Sequence, residues 1–341
     1  EAAYNIGSSF LSGVPMRITR RLEFDAGHRI PDHASQCRHL HGHRYALEIT
    51  LSGETIRRDG SPVNGMVMDF GDVKAIAELS VPEGDIVAAG TFTTAGGAPA
   101  SRIARWDGVS WTPLGTGFDG GVEALLVLKN GDLIAGGSFT TAGGVPARKV
   151  ARWNGSSWAA IGSGLSNGVN CLAVLPGGDL VAADSSTFSQ STSLYRWTGT
   201  VWEPIVTNVS GQIRSMVVTP NFDLVVGGGF TTIGGVPARG VARWRGSGWS
   251  PLGYGIVNRV EQLRVLPNGE LLAGGSFTLA DDLPANRLAR WNGVSWTPLA
   301  GGVDNTVTAL AVLQSGDIAV GGSFLNAEIG RASCRERVSS P

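Results

Sequence analysis

The sequence predicts a mainly β protein whose larger part repeats a unit of four short strands. Glycine accounts for 50 of the 341 residues without the strict every-third spacing of collagen, which indicates many tight turns and therefore many short strands. A pattern of hydrophobic runs and turns recurs about every 47 residues in the larger part of the chain. All five histidines lie before residue 44 and all ten tryptophans lie between Trp106 and Trp296. Two unrelated segments therefore meet near Glu78.

Composition and charge exclude several classes of protein. With 42% hydrophobic and 16% charged residues, the chain can bury a large core, so wholesale disorder is excluded. Basic and acidic residues nearly balance, 27 against 28, which argues against a phosphate-binding surface as the main function. No apolar run reaches the roughly 18 residues of a membrane-spanning helix. We therefore expect neither a nucleic acid nor a membrane as partner.

The first elements are two alternating strands that carry histidines. The chain opens on Glu1, and residues 1–15 are expected to be a non-native or unstructured leader. From Met16 the sequence alternates apolar and polar residues, and His28 ends the apolar face. A second alternating run starts at His41, with His43 two residues on, about 6.6 Å away by strand rise. If these strands pair as a hairpin, three imidazoles converge at one end.

Three histidines in this pattern predict a metal site. A buried imidazole must be neutral, hydrogen-bonded or metal-bound, and His28, His41 and His43 together favour a metal. Three neutral nitrogens with an open fourth position are typical of catalytic zinc. Cys37 lies four residues before His41, on the connection between the strands. It is either a fourth ligand that closes a structural site or a thiolate beside an open one.

Three stretches of this segment carry a family resemblance. They read FDAGHRI from Phe24, CRHLHGHRYALEITLSGE from Cys37 and GMVMDFGDVK from Gly65. They resemble the 6-pyruvoyltetrahydropterin synthase and 6-carboxytetrahydropterin synthase family, and the Cys-x-x-x-His-x-His spacing is closer to the 6-carboxytetrahydropterin branch of queuosine biosynthesis. The resemblance covers residues 16–78, the first half of a tunnelling-fold (α+β) domain. It implies a helix after the second strand. Asp69 would be the N-cap of this helix, and Asp72 would lie in its first turn.

The resemblance also implies an activity. His28, His41 and His43 would hold Zn²⁺, and Cys37 would be the catalytic base of a carbon–carbon lyase. Its substrate would be 7,8-dihydroneopterin triphosphate, and its products 6-carboxytetrahydropterin, acetaldehyde and triphosphate. An intact enzyme of this kind is expected to be a cytoplasmic homo-oligomer. The family's second half should add an Asp-His pair and a pterin-anchoring Glu, but no histidine follows His43. We therefore expect a truncated active site.

Residues 79–327 contain the repeat. An acidic residue between two apolar runs indicates a hairpin, and an Arg-Trp pair followed five residues later by a second Trp indicates another. Four strands per unit predict a β-propeller of about five to six blades, cut short in the sixth. The region resembles kelch-like and delta-60-type repeats, in which the regular tryptophans and glycines are packing and turn residues. The repeated positions are Asp85, Asp132, Asp179, Asp223, Glu270 and Asp317, with Arg-Trp at Trp106, Trp153, Trp197, Trp244 and Trp291.

The last stretch, residues 328–341, departs from the repeat. Its EIGRASCRERV resembles a translated sequencing adapter, so Cys334 is expected to have no function. This favours a chimeric chain with an artificial join near Glu78. Three hypotheses remain: a truncated zinc-dependent pterin synthase, a non-enzymatic binding propeller of secreted or surface origin joined by chance to the first segment, and a genuine fusion.

Overall fold

The computed structural model describes the backbone of residues 16–28, 41–53, 73–78 and 328, and backbone and side chains of residues 85–107, 109–186, 191–299, 301–312 and 318–327. Every helix or strand in these ranges is a β-strand. The mainly β class predicted from the sequence is confirmed.

The N-terminal segment forms a long hairpin. Met16–His28 pairs antiparallel with His41–Gly53, and the register runs without a shift from Met16 opposite Gly53 to His28 opposite His41. Apolar and polar residues alternate along both strands, as expected for a sheet with one face covered.

Five four-stranded antiparallel sheets follow, each with its strands in chain order. We call them blades 1 to 5. Their strands are Val73–Glu78, Ile86–Gly90, Ile103–Trp106 and Trp111–Pro113; Val122–Val127, Leu133–Gly137, Val150–Trp153 and Trp158–Ala160; Gly168–Val174, Leu180–Ser185, Ser191–Trp197 and Trp202–Ser210; Ile213–Val218, Leu224–Gly228, Val241–Trp244 and Trp249–Pro251; and Val260–Val265, Leu271–Gly275, Leu288–Trp291 and Trp296–Pro298. Among the described residues, blade 6 has two strands, Val307–Val312 and Ile318–Gly322.

Short two-residue strands lie between the second and third main strands of blades 1, 2, 4 and 5, and two further ones lie before the first strands of blades 5 and 6. The tight turn of blade 2 has positive φ at both central residues, 61° at Gly143 and 82° at Gly144, which glycine adopts without strain. The paired short strands are Thr94–Ala95 with Ala98–Pro99, Thr141–Ala142 with Val145–Pro146, Thr232–Ile233 with Val236–Pro237, Leu279–Ala280 with Leu283–Pro284 and with Ile256–Val257, and Gly302–Val303 with Ala327–Glu328.

The helix expected after Asp69 is replaced by a strand where the structure describes this segment. Val73–Glu78 pairs with Ile86–Gly90 as the first strand of blade 1, while Asp69 and Asp72 lie outside the described residues. Lys, Ala and Glu favour helices locally, but pairing with a neighbouring strand outweighs so small a preference. Glu78, at the expected join, therefore lies within a blade.

The core consists of layers between consecutive blades. The second strand of a blade, such as Leu133–Gly137, is buried along its whole length because sheets cover both of its faces. One hydrophobic cluster joins Val87 and Ile103 of blade 1 to Leu133 and Phe139 of blade 2. First strands of consecutive blades contact each other from blade 1 to blade 6. This stacking is the propeller arrangement that the repeat predicted.

Candidate functional site

The backbone register brings the three predicted zinc ligands to one end of the N-terminal hairpin. His28 is directly opposite His41, and His43 is opposite Ala26. In an antiparallel pair, residues that face each other across the strands, and residues two apart on one strand, belong to the same face. The three positions therefore lie on one face of this hairpin end. Cys37 lies outside the described residues, so its role and the metal ligation stay predictions.

The repeated acidic residues of the propeller pair with the arginine of the Arg-Trp strand. Asp132 at the first hairpin of blade 2 accepts a hydrogen bond from Arg152 Nε at 2.6 Å, and Asp85 pairs with Arg105 in blade 1. The remaining pairs are Asp179–Arg196 at 3.7 Å, Asp223–Arg243 at 3.6 Å and Glu270–Arg290 at 3.3 Å. Each pair joins the first hairpin of a blade to its third strand. These carboxylates are therefore structural.

The two tryptophans of a blade pack against each other across the second hairpin. Ring centroids are 5.4 Å apart for Trp153 and Trp158, with planes tilted by 49°. The same geometry recurs in blades 1, 3 and 5, with centroids 5.6, 5.4 and 5.5 Å apart. Tilted aromatic pairs of this kind add about 0.5–1.5 kcal/mol beyond their burial. The packing role predicted for these residues is confirmed.

The second tryptophan also links its blade to the preceding one. Trp158 Nε1 donates a hydrogen bond of 3.0 Å to the Leu114 carbonyl of blade 1. Trp202 bonds in the same way to Ile161 at 3.0 Å, and Trp296 bonds to Leu252 at 3.1 Å. Each acceptor stands three residues after the second tryptophan of the preceding blade. The sequence repeat did not reveal this bond, because donor and acceptor of the Trp158 bond are 44 residues apart.

An aspartate on the link between blades caps the next blade. Asp119 accepts hydrogen bonds from the backbone N–H groups of Thr140 at 2.7 Å and Thr141 at 2.9 Å, and from the Thr140 hydroxyl. Desolvation raises the pKa of the Asp119 carboxyl, but these hydrogen bonds outweigh it and lower the pKa to about 2. Asp304 likewise accepts a hydrogen bond of 2.8 Å from the backbone N–H of Leu325, and the pKa of its carboxyl is also lowered. Both aspartates are structural caps.

A bulge places one polar residue in the first strand of every blade. In blade 2 the register passes from Val122 opposite Gly137 to Ala124 opposite Gly136, so Glu123 is the extra residue. The bulge residues, here called the polar bulge ring, are Lys74, Glu123, Asn170, Arg214, Glu261 and Thr308. The sequence repeat did not identify these bulge residues, although a polar residue follows the first apolar residue of each of these strands.

Two neighbouring members of the polar bulge ring are in contact, and a third bonds to the backbone beside its neighbour. Arg214 Nη1 of blade 4 lies 3.4 Å from Glu261 Oε2 of blade 5. Asn170 Nδ2 of blade 3 donates a hydrogen bond of 2.7 Å to the Ile213 carbonyl of blade 4. The five ring members whose side chains the structure describes are partly or fully exposed: Glu123, Asn170, Arg214, Glu261 and Thr308. Bulges often occur beside binding sites, so this ring is the candidate ligand-binding surface of the propeller.

The other chemical groups of the described propeller give no catalytic cluster. Cys171 is a buried free thiol, and burial raises its pKa to about 12, so it is not a nucleophile at neutral pH. Among the side chains that the structure describes, no three His, Cys, Asp or Glu residues are placed to hold a metal ion. No helix in the described ranges is long and apolar enough to cross a membrane.

Comparison with known proteins also divides the chain into an N-terminal region and a propeller region. Residues 17–83 match the family described as 6-pyruvoyl tetrahydropterin synthase, and residues 68–215 match the Rax2 C-terminal beta propeller domain. The two matches overlap over residues 68–83, which include the first strand of blade 1. The N-terminal region resembles the pterin synthase family, and the following region resembles β-propellers.

The curated relatives cover the N-terminal region alone. The 6-carboxy-5,6,7,8-tetrahydropterin synthase of Rickettsia bellii is 48% identical over 68 residues, which are 20% of this chain and 46% of that protein. That of Haemophilus influenzae is 34% identical over 62 residues, 18% of this chain and 43% of that protein. The chain thus spans about half the length of the curated relatives that it matches.

Solved structures resemble the propeller in fold. An extracellular domain of a hybrid two-component system from B. thetaiotaomicron aligns with 82% of this chain and 35% of that chain at a TM-score of 0.52 and 8% identity. A catalytically inactive virginiamycin B lyase from Staphylococcus aureus aligns with 87% of this chain and 93% of that chain, at a TM-score of 0.45 and 10% identity. At 8% identity the first of these likenesses concerns the fold alone.

Proposed function

We propose that the N-terminal segment is the zinc-binding half of a 6-carboxytetrahydropterin synthase-type lyase. The observation that carries the proposal is the 48% identity over 68 residues to the Rickettsia bellii enzyme. The hairpin register supports it, because His28, His41 and His43 occupy adjacent positions at one end of two paired strands. Three such positions suit a cation that takes three imidazole ligands and one exchangeable ligand.

Four residues of the segment have a proposed part in the reaction. His28, His41 and His43 hold Zn²⁺, and Cys37 as thiolate takes up a proton from the substrate side chain. When bound, Zn²⁺ supplies a Lewis acid that polarises substrate oxygens and makes the adjacent C–H bonds more acidic. Neighbouring positive charge also favours the thiolate form of Cys37 at neutral pH. The substrate is 7,8-dihydroneopterin triphosphate, and the reaction would take place in the cytoplasm.

The chain should bind zinc but turn over this substrate poorly. The resemblance places an Asp-His pair and a pterin-anchoring Glu in a second half that the matched region does not reach. A general acid–base partner contributes about 10²–10⁴-fold to a rate, and correct positioning of the substrate contributes more. The zinc ligands, in contrast, all belong to one hairpin.

The test measures zinc content and acetaldehyde release in the purified full chain. We expect about one zinc per chain, lost in His28→Gln and His41→Gln. The control His33→Gln, which changes a nearby histidine that is not one of the three predicted ligands, should retain it. Cys37→Ser should keep the metal if the site is open, and loss of zinc would instead indicate a closed structural site. Absence of zinc from the unmodified chain would contradict the proposal. Near-normal turnover would show that the propeller segment supplies the missing groups.

A second candidate function is ligand binding by the propeller, with no catalysis. The polar bulge ring favours it, because it lines up charged and polar side chains such as Arg214 and Glu261 on adjacent blades. A chain that holds no zinc and releases no acetaldehyde, yet unfolds cooperatively as a propeller, would favour this candidate over the lyase.

A further inference from the structure

Three charged side chains meet where the first strands of blades 4 and 5 begin. Arg214 Nη1 of blade 4 lies 3.4 Å from Glu261 Oε2 of blade 5, and Arg259 Nη1 lies 3.6 Å from Glu261 Oε1. One carboxylate therefore stands between two guanidinium groups, so two positive charges face one negative charge. We call Arg214, Glu261 and Arg259 the two-arginine cluster. Arg259 stands directly before the strand Val260–Val265, two residues ahead of the bulge residue Glu261.

The two guanidinium groups keep hydrogen-bond donors that the cluster does not use. Hydrogen bonds from a guanidinium to a carboxylate are about 2.7–2.9 Å long, so the distances of 3.4 and 3.6 Å to Glu261 are those of ion pairs. Arg214 Nη2 donates to Gln212 Oε1 at 2.6 Å, whereas its buried Nε has no acceptor in the described part of the chain. Within the same residues, the ion pair with Glu261 is the one polar interaction of the Arg259 side chain. Since a guanidinium carries several N–H donors, both groups can still bind an acceptor.

Arg259 lies across blade 4 at a glycine. Gly229 follows Gly228, the residue paired with the start of the first strand of blade 4, and a Cβ on Gly229 would lie 3.8 Å from Cγ and Nε of Arg259. The side chain of Arg259 thus extends from the start of blade 5 over the backbone of blade 4, which keeps its guanidinium beside the carboxylate that Arg214 contacts. The residues equivalent to this glycine in the other blades all carry a hydroxyl group: Thr91, Ser138, Ser185, Ser276 and Ser323.

The two-arginine cluster is accessible without being fully hydrated. The side chains of Arg214 and Arg259 are 35% and 49% exposed, and that of Glu261 is 15% exposed. A ligand can therefore reach both guanidinium groups. Water and salt screen an ion pair less at such partly buried positions than between fully exposed side chains, so an anion held there gains more from the two positive charges.

We propose that the two-arginine cluster binds the carboxylate group of a small ligand. This inference rests on ligand binding by the propeller, the second candidate function, and names the class of ligand. Arginine presents its N–H donors in a planar fork that fits the two oxygens of a carboxylate. Two guanidinium groups and the Glu261 carboxylate leave one positive charge, which a monocarboxylate neutralises. A phosphate group carries more negative charge at neutral pH and would repel Glu261 more strongly.

The experiment titrates the full chain with acetate at neutral pH and constant ionic strength, and ligand-observed NMR measures the dissociation constant. We expect saturable binding of acetate and no binding of acetamide, which has nearly the same shape but no charge. Inorganic phosphate should bind more weakly than acetate. Absence of acetate binding, or equal binding of acetamide, would overturn the proposal. Tighter binding of phosphate than of acetate would overturn the assignment to a carboxylate.

Two arginine variants and a charge-matched control locate the bound acetate. Arg214→Gln and Arg259→Gln should each weaken acetate binding about 2- to 10-fold, the effect of losing one partly exposed charged partner. Arg245→Gln removes the same charge at the opposite end of blade 4, where Arg245 pairs with Asp223, and should leave the affinity unchanged. Circular dichroism verifies that the variants are folded. Equal affinities in the three variants would place the acetate elsewhere, for example on the predicted zinc, and overturn the proposal.

A third variant distinguishes a ligand site from an ion-pair network that serves the fold alone. In the proposed site, Glu261 competes with the ligand carboxylate for both guanidinium groups, so Glu261→Gln should strengthen acetate binding about 2- to 10-fold. Unchanged or weaker binding in the folded variant would overturn the proposal. Zinc content and acetaldehyde release do not depend on this cluster. A chain that binds neither acetate nor zinc, yet unfolds cooperatively, would therefore contradict this inference without contradicting the ligand-binding candidate itself.

Discussion

The second tryptophan of a blade stabilises the propeller in two ways. Trp158 packs against Trp153 in its own blade, and its N–H bonds to the Leu114 carbonyl of the blade before. A single residue thus connects the second hairpin to its own sheet and to the adjacent one. The sequence showed that tryptophan recurs, but it did not show that the indole N–H crosses between blades.

We predict that Trp158→Phe destabilises the chain more than Trp111→Phe. Both replacements lose a similar part of a buried indole, but only Trp158 donates a hydrogen bond. The difference in free energy of unfolding should be about 0.5–1.5 kcal/mol, the net contribution of one buried hydrogen bond. Urea unfolding of both variants measures it, and equal losses would show that the Trp158 bond contributes nothing.

A second prediction concerns the pH dependence of the Asp119 cap. The folded-state pKa of Asp119 is lowered to about 2 from an ordinary value of 3.8, so the cap contributes stability above about pH 4 and loses it as the pH falls toward 2. Asp119→Asn should therefore cost on the order of 1 kcal/mol at pH 7, since the carboxylate is exposed, and less at pH 2.5. If the loss in free energy of unfolding is the same at both pH values, the ionised Asp119 carboxylate does not stabilise the fold, which would contradict the prediction.

At the scale of the strand, the bulge of each first strand requires glycine opposite it in most blades. An ideal Cβ on Gly228 would lie 2.0 Å from the Gln212 carbonyl oxygen, which belongs to the backbone and cannot move aside. The bulge at Arg214 brings the two strands this close. Blade 3 is the exception, where Asp184 accepts hydrogen bonds from the backbone N–H and the side-chain amide of Asn167.

Gly228→Ala is accordingly predicted to destabilise the propeller by about 1–3 kcal/mol, the usual cost of overpacking. The matched control is Gly248→Ala in the same blade, where an added Cβ meets nothing within 4 Å and φ is not positive. That control should change the free energy of unfolding by less than about 0.5 kcal/mol. Thermal and urea unfolding of both variants make the comparison, which fails if their stabilities are the same.

At the scale of the whole molecule, strand pairing in blade 6 reaches at least one residue beyond residue 327, where the sequence pattern places the end of the repeat. Glu328, the first residue of the adapter-like stretch, pairs with Gly302. Removing residues 329–341 should leave the free energy of unfolding within about 0.5 kcal/mol of the full chain, as for changes away from structural features. Chemical denaturation of the two chains measures this difference, and a large loss would show that the tail packs as part of the sixth blade.

Much of the molecule could be predicted from its sequence because the repeat encodes it locally. Recurring glycines, the acidic turn and the paired tryptophans specify where strands end and which neighbours along the chain pair, so the four-strand unit and the series of blades follow from spacing. The histidine spacing likewise predicts the metal site, which stays a prediction. These features depend on residues a few positions apart.

Tertiary contacts alone decided the remaining features. Val73–Glu78 has the composition of a helix, and it is a strand because Ile86–Gly90 offers it a partner. The pairing of Asp132 with Arg152 joins residues 20 positions apart, and the Trp158 bond to Leu114 joins residues 44 positions apart. Neither pairing is recognisable before the strands are folded side by side. Local sequence determines where strands end, whereas contact between strands and between blades determines which polar groups meet.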